Sequence, residues 1–401
     1  MPSESSHALP IPDATALAHS AALCAQIRAE IVRQRGWISF ARYMELVLYT
    51  PGLGYYSGGA TKFGAAGDFV TAPEISPLFG RTLARACLPW LETYGKTIVE
   101  FGAGTGQLAA QVLTGLAEQG VALERYLIVE VSGTLRAQQQ ATLADWPCVA
   151  WADSLPSAVR GVVLGNEVLD ALPVQLFVNG THGVAERGVS LSPEGEFIWA
   201  ERAADLNLSE AVADLEAMLP EPLPIGYTSE ICPAADAFMN SVGNMLQEGV
   251  VCLLDYGFPR HEYYHPQRTH ANGGTLMCHY RQQAHAEPFL WPGLQDITAH
   301  VDFTRIALAA NVAEMDLIGY TTQANFLMNA GITELLAEIP VSDTLRYAQH
   351  SAQVQKLLSE AEMGELFKVI AFVKDKNNPQ AEEWEEEIFG GFQRGDRSHR
   401  L

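Results

Sequence analysis

From Thr97 onward the chain alternates short apolar runs with amphipathic stretches. "TIVEFGAG" (97–104) reads as a strand and "TGQLAAQVLTGLAEQG" (105–120) as a helix closed by Gly120. "RYLIVEVS" (125–132) and "GTLRAQQQATLADW" (133–146) repeat the pair, and "CVAWADSL" (148–155) gives a third strand. "GVVLGNEVLDALP" (161–173) is a strand that runs into a turn, and "VVCLLDYG" (250–257) is a buried strand preceded by the helical 232–249. "MDLIGYTTQ" (315–323) and "LFKVIAFVK" (366–374) read as a final strand pair. Strands interleaved with helices predict βαβ units in a parallel, doubly wound α/β sheet, with right-handed crossovers placing helices on both faces.

The flanking segments break this rhythm. Residues 18–35 carry Leu23, Ile27 and Ile31 at helical spacing, and Ser39 can cap a second helix. The Gly-, Pro- and aromatic-rich 51–75 predicts a shaped loop, followed by a helix from about Ser76 to Tyr94. Residues 174–200 alternate apolar and polar positions between turn signals, which predicts an antiparallel excursion. This gives an N-terminal helical and lid region over 1–95 and a sheet domain over 96–401. That domain carries insertions at about 174–225 and 258–303. The charged tail from 381 is expected to be peripheral.

Composition narrows the class. The 401 residues suffice for a substantial core, and 48% hydrophobic with 18% charged residues mark a globular chain. No apolar run approaches the roughly 18 residues that span a bilayer. The N-terminus lacks a basic region followed by an apolar one, so a cytoplasmic protein is expected. Six scattered cysteines without a CxxC pair predict free thiols. A net charge of −22 argues against nucleic-acid binding and favours a basic partner or plain solubility.

The first strand ends in Gly102, Ala103, Gly104, Thr105, Gly106. Glycines at a strand's C-terminal end let the backbone approach a ligand, and the next helix offers free N–H groups. A dinucleotide fingerprint needs GxGxxG, but Gln107 interrupts the spacing, and the Gly-Lys-Ser/Thr of a phosphate loop is absent. Glu100 would repel a pyrophosphate and suits an ammonium. Glu130 closes the second strand, where an acid can accept from ribose hydroxyls. Asp153, at the tip of the third, could face an adenine amino group. Each acid alone could equally be a solvated loop carboxylate; the ordered set points to S-adenosylmethionine, which carries an ammonium and a sulfonium and no phosphate.

This pattern resembles the class I S-adenosylmethionine-dependent methyltransferases, which implies a mostly parallel, seven-stranded Rossmann-like sheet whose last strands form a reversed pair. Seven segments are similar to one branch, the MidA-type family, which includes the mitochondrial arginine methyltransferase that assists respiratory complex I assembly. They are "PGLGYYS" (51–57), "GDFVTAPEISPLFG" (67–80), "EFGAGTG" (100–106), "GNEVLDALPV" (165–174), "LLDYG" (253–257), "GGTLMCHY" (273–280) and "PGLQDITAHVDF" (292–303). Many relatives carry Pro and Arg where this chain has Ala103 and Thr105. The resemblance implies methylation of a protein side chain, arginine above others. A small-molecule acceptor, or a chaperone that binds S-adenosylmethionine without turnover, are the alternatives.

A guanidinium stays protonated in water up to a pKa above about 12, so its methylation needs groups that orient one nitrogen and receive its proton. Glu167, with Asn166 and Asp170, supplies carboxylates after the fourth strand, against a reading as helix start and solvated acid. Asp68, Thr71 and Glu74 in "GDFVTAPEIS" read as a lid or as a packed turn capping the next helix. Tyr55 and Tyr56 could form an aromatic wall. Asp255 and Tyr256 end the fifth strand and could flank the cleft, with Asp296, His300 and Asp302 as contacts from the insertion. Six of the eleven histidines fall between His261 and His300, but their spacing fits no metal template, so no metal is expected. Apolar residues of the insertions could serve a homodimer or a protein partner alike.

Overall fold

The structure, a computed structural model, describes residues 9–58, 70–268, 274–375 and 390–401. It divides into two compact units. The first comprises residues 1–70, 173–231 and 266–299, and the second 71–172, 232–265 and 300–401. The division differs from the expected one. Residues 71–95 fold with the sheet rather than with the N-terminal region, because the helix Pro77–Tyr94 packs its apolar side onto the sheet.

The second unit holds the predicted doubly wound sheet. Its main strands are β1 (Thr97–Phe101), β2 (Arg125–Val129), β3 (Val149–Ala152), β4 (Val159–Asn166), β5 (Leu246–Phe258), β6 (Asp316–Thr322) and β7 (Phe367–Lys374). Their order is β6-β7-β5-β4-β1-β2-β3, and a two-residue strand, Val301–Asp302, adds an eighth member beside β5. β1 to β5 pair in parallel, whereas β7 runs antiparallel to both β5 and β6. The expected reversed pair is therefore present.

Alternation along the strands explains the layering. Ile98, Val162, Leu164, Val250 and Cys252 bury against the helices Pro77–Tyr94 and Gln107–Glu118. Val99, Val163, Val251 and Leu253 bury on the opposite face with the helices Pro233–Met245 and Phe303–Val312. A central parallel strand covered on both faces reads as a continuous apolar run, which "VVCLLDYG" is. β4 and β5 are the longest parallel pair and meet at the middle of the sheet, so their C-terminal ends carry the acidic turn described below.

The first unit contains the helices Ala14–Arg33 and Phe40–Tyr49, capped by Asp13 and Ser39. Its larger sheet is antiparallel and includes Gln175–Gly180, Gly183–Leu191 and Phe197–Ala203, the excursion predicted for 174–200. A smaller sheet joins Met277–Tyr280 to Gln283–His285 and Asp296–Thr298. The six cysteines are free thiols. Among the described residues no helix is long and apolar enough to cross a membrane.

Candidate active site

The glycine loop joins β1 to the helix Gln107–Glu118. Gly102, Gly104 and Gly106 adopt φ of 65°, 51° and 82°, the left-handed region that disfavours a side chain. At Gly102 an added Cβ would also lie 2.8 Å from Val168 Cγ2. Gly106 takes the N-cap position with no side chain to bond the first N–H groups of the helix. No lysine or arginine occurs between Thr97 and Gln107. The loop thus offers backbone and space without a cation for phosphate.

Glu100 lies one residue inside β1, not at its tip, and its carboxyl is buried. It accepts a hydrogen bond from the Tyr126 hydroxyl at 2.8 Å. Burial pushes its pKa up to about 7, against the Tyr126 hydroxyl, which pulls it down. Tyr126, one strand over on β2, is a partner that sequence spacing gave no signal for.

Glu130 follows β2 directly. Its Oε1 accepts from the Ser132 N–H at 2.7 Å and its Oε2 from Gln139 Nε2 at 3.0 Å. Gln139 is fully buried and ties more together. Its Nε2 also donates to the Gly104 carbonyl at 3.0 Å, and its Oε1 accepts from Trp151 Nε1 at 3.0 Å. One glutamine of the helix Gly133–Thr142 therefore fixes the glycine loop, the β2 acid and β3 in one network. In the sequence it is one of three consecutive glutamines, and its spacing carries no signal. Asp153, just after β3, is exposed and paired with Arg136, which also donates to the Glu130 carbonyl at 2.6 Å.

The turn after β4 gathers acidic groups. Glu167 has a left-handed φ of 54°, uncommon for a side-chain-bearing residue, and its N–H donates to the Leu254 carbonyl at 2.8 Å. Asn166 Nδ2 donates to Glu167 Oε1 at 3.0 Å. Asp170 is buried and accepts from the Tyr256 hydroxyl at 2.5 Å on Oδ2. Oδ1 of Asn166 and Oδ1 of Asp170 are buried without a hydrogen-bond partner among the described residues. Burial pushes Asp170 up to about 6, with the Tyr256 hydroxyl opposing. Asp255 is fully buried within β5, which runs past it and Tyr256 to Phe258 rather than ending there as expected, and it is raised well above the usual carboxylate range. Burial is the first cause, followed by the charges of Asp170 and Glu167.

The remaining predicted residues distribute as follows. Asp68 lies outside the described residues. Thr71 occupies the N-cap of the short helix Ala72–Ile75 without a side-chain bond, and Ser76 caps the helix Pro77–Tyr94. Gln111 fastens this corner, accepting from the Gly80 N–H at 3.0 Å and donating to the Pro73 carbonyl at 2.6 Å. Glu74 Oε1 is 3.5 Å from Thr105 Oγ1, which puts it beside the glycine loop. The His300 ring packs edge-on to Tyr256, with centroids 5.4 Å apart, and against Phe258. Asp302 caps the helix Phe303–Val312 and pairs with Arg260 at 3.1 Å. Tyr55 is buried, and Tyr56 donates to Asp296 at 3.0 Å, both within the first unit. Asp296 and His300, close in sequence, belong to different units. Among the described residues no three His, Cys, Asp or Glu side chains form a metal-binding group.

Residues 82–321 match the family model described as "Putative S-adenosyl-L-methionine-dependent methyltransferase". The chain belongs to this family. The methyltransferase is similar over 98% of its length to a crystal structure from Burkholderia thailandensis, described as a "likely methyl transferase" bound to S-adenosyl-homocysteine. Identity is 52%, the TM-score 0.89, and all of that chain is covered. A second, native crystal structure of an uncharacterized protein from the same organism is 50% identical with a TM-score of 0.86, covering 98% of this chain and 100% of that one. Among curated proteins, the zebrafish (Danio rerio) protein arginine methyltransferase NDUFAF7, mitochondrial, is 28% identical, covering 87% of this chain and 86% of its own. The human protein of the same name is 27% identical, covering 85% and 81%.

The residues present fit S-adenosylmethionine. Two carboxylates, Glu130 and Glu100, stand around a glycine loop free of basic side chains. A ribose diol and an ammonium need acceptors of this kind, and a diphosphate does not. The methyltransferase uses S-adenosylmethionine as its methyl donor.

Proposed function

We propose that the enzyme methylates a protein side chain, the arginine guanidinium. The observation that carries this reading is the turn after β4. There Glu167, Asp170 and Asp255 crowd acidic groups, and two buried acceptor oxygens, Oδ1 of Asn166 and Oδ1 of Asp170, have no hydrogen-bond partner among the described residues. Buried acceptors without donors are costly, and a planar cation with several N–H groups answers both the charge and the missing donors. The two curated relatives described above carry the name protein arginine methyltransferase, which supports the same acceptor.

On this reading Gly102, Ala103, Gly104 and Gly106 would lie against the donor. Glu130 would accept from its ribose, Glu100 would serve its ammonium and Asp153 its adenine. When bound, S-adenosylmethionine supplies a methyl group on a sulfonium whose departure as a neutral thioether needs no acid. The enzyme's own work is alignment and reception of a proton. Glu167 and Asp170 would hold the guanidinium through paired hydrogen bonds and take the proton lost by the attacking nitrogen. Asp170, pushed up by burial to about 6, is suited to that task. Thr71 and Glu74, fastened through Gln111, would border the donor, and Tyr256 and His300 the acceptor.

The test is label partition. Purified enzyme is incubated with native lysate and methyl-labelled S-adenosylmethionine, and the products are separated by size. The reading expects label in protein. Label confined to small metabolites would replace it with a small-molecule acceptor. Donor binding with no transferred label would replace it with a chaperone.

A further inference from the structure

The sequence predicts that Asp255 and Tyr256 end the fifth strand and flank the cleft, but β5 runs on to Phe258 and Asp255 lies buried beneath the turn. Its side chain is fully buried, and the described bonds to it come from backbone. Oδ2 accepts from the N–H of Leu169 at 2.8 Å and of Asp170 at 3.3 Å. Oδ1 accepts from the N–H of Tyr256 at 2.9 Å. One carboxylate thus bridges β5 to the turn that follows β4. The same turn holds Glu167 in the left-handed region, anchored by its own N–H on the Leu254 carbonyl, the residue before Asp255. A bulky residue reaches that conformation only where its surroundings over-determine it. The neighbouring Tyr256 completes the frame by donating to Asp170 Oδ2.

We propose that Asp255 is a positioning residue for methyl transfer: it folds the 166–170 turn from below, while Tyr256 fixes Asp170 at the turn's end. The inference rests on the reading that this turn faces the methyl acceptor, whichever acceptor that is. Fixing Glu167 and Asp170 before the acceptor arrives removes reorganisation from the reaction step. An acid placed under a turn to bind three N–H groups cannot be replaced by its amide. Asparagine retains one acceptor atom and turns an N–H₂ toward donors that need an acceptor.

The groups facing this cluster are Glu167 and Asp170 on the turn, Asp255 and Tyr256 on β5, and His300 against the Tyr256 ring. Lys368 stands opposite Asp255 in the β5–β7 register, with its ammonium donating to the carbonyls of Glu365 and Leu366. The Tyr256 hydroxyl favours the ionised form of Asp170. Its removal therefore raises the pH at which that carboxylate becomes available.

Two variants of the full chain test the proposal, read by amide hydrogen exchange and by label transfer from S-adenosylmethionine to the protein fraction of native lysate. In Asp255→Asn, exchange at Leu169 and Asp170 should rise at least about tenfold while β1 and β2 stay protected. The transfer rate at saturating donor should fall at least about thirtyfold, with the KM for the donor within about threefold. Tyr256→Phe should keep native exchange at Leu169 and move the acid limb of the pH–rate profile upward, a change that loss of packing alone would not produce. Parental exchange at Leu169 and Asp170 in a folded Asp255→Asn protein overturns the proposal. So does raised exchange with undiminished transfer, or an unmoved pH profile in Tyr256→Phe. Should Asp255→Asn fail to fold, the Tyr256→Phe profile decides alone. Label on a residue other than arginine sinks the guanidinium reading and leaves this proposal standing, because exchange is read on the turn itself and transfer on whichever protein residue is modified.

Discussion

Gln139 offers a sharp perturbation of the proposed donor site, because it bonds three separate elements without itself being acidic. Replacing it by leucine removes the bonds to Glu130, the Gly104 carbonyl and Trp151. Each buried group left unpaired costs about 1–3 kcal/mol. Burying a leucine side chain returns about 1.5–3 kcal/mol. The net loss of stability should be about 2–4 kcal/mol, or a melting temperature lower by roughly 2–5 °C for a chain of this length. Gln139→Glu keeps the size and the acceptor for Trp151, yet sets a third acceptor against Glu130 Oε2 and the Gly104 carbonyl. That variant should lose donor affinity by at least about tenfold, equal to about 1.4 kcal/mol, because Glu130 must turn away from its place. Calorimetric titration with S-adenosylhomocysteine measures the affinity, and thermal denaturation the stability. Parental affinity in both variants would refute the argument that this network sets the donor site.

Other perturbations reach different parts of the site. Glu167→Gln should bind the donor within about threefold of the parent and slow methyl transfer at least about 100-fold, measured by label incorporation. Gly102→Ala forces a side chain into a left-handed φ and against Val168; donor affinity measured by calorimetry should drop at least about tenfold. Glu100, raised by burial to about 7 from the ordinary carboxylate range, gives a pH dependence with a defined sign. Its folded-state value lies above its unfolded one, so its contribution is complete in acid and fades as pH climbs through the interval up to about 7. Glu100→Gln should remove about 3 kcal/mol of that dependence in denaturant titrations between pH 4.5 and pH 8. An unchanged pH slope would show that the carboxyl is not held as described.

The sheet was legible because its strands obey simple patterning. Apolar runs such as 250–254 announce strands buried on both faces, and glycines at 102, 104 and 106 announce a loop that must take positive φ. The reversed last pair was legible only through the family resemblance. Local chemistry was harder. The positions of Glu130 and Asp153 follow from counting strands, since each comes directly after a strand end. Their partners cannot, because Gln139 reaches Gly104 and Trp151 only through the crossover geometry of the helix between β2 and β3. Asp255 illustrates the other failure. At a strand end an acid looks solvent-facing in sequence, but the turn after β4 folds over it and its carboxylate serves backbone N–H groups. The unit boundary at Val70 rather than near residue 95 has the same origin, since the helix Pro77–Tyr94 looks like its N-terminal neighbours until its apolar side meets β4 and β5.

Mapping the methylated position tests the central claim most directly. Parent enzyme and Glu167→Gln are each incubated with native lysate and labelled S-adenosylmethionine, and labelled peptides are sequenced by mass spectrometry. The account predicts label on arginine side chains with the parent and its loss with the variant. Label on another residue type, or equal labelling by both proteins, would contradict it.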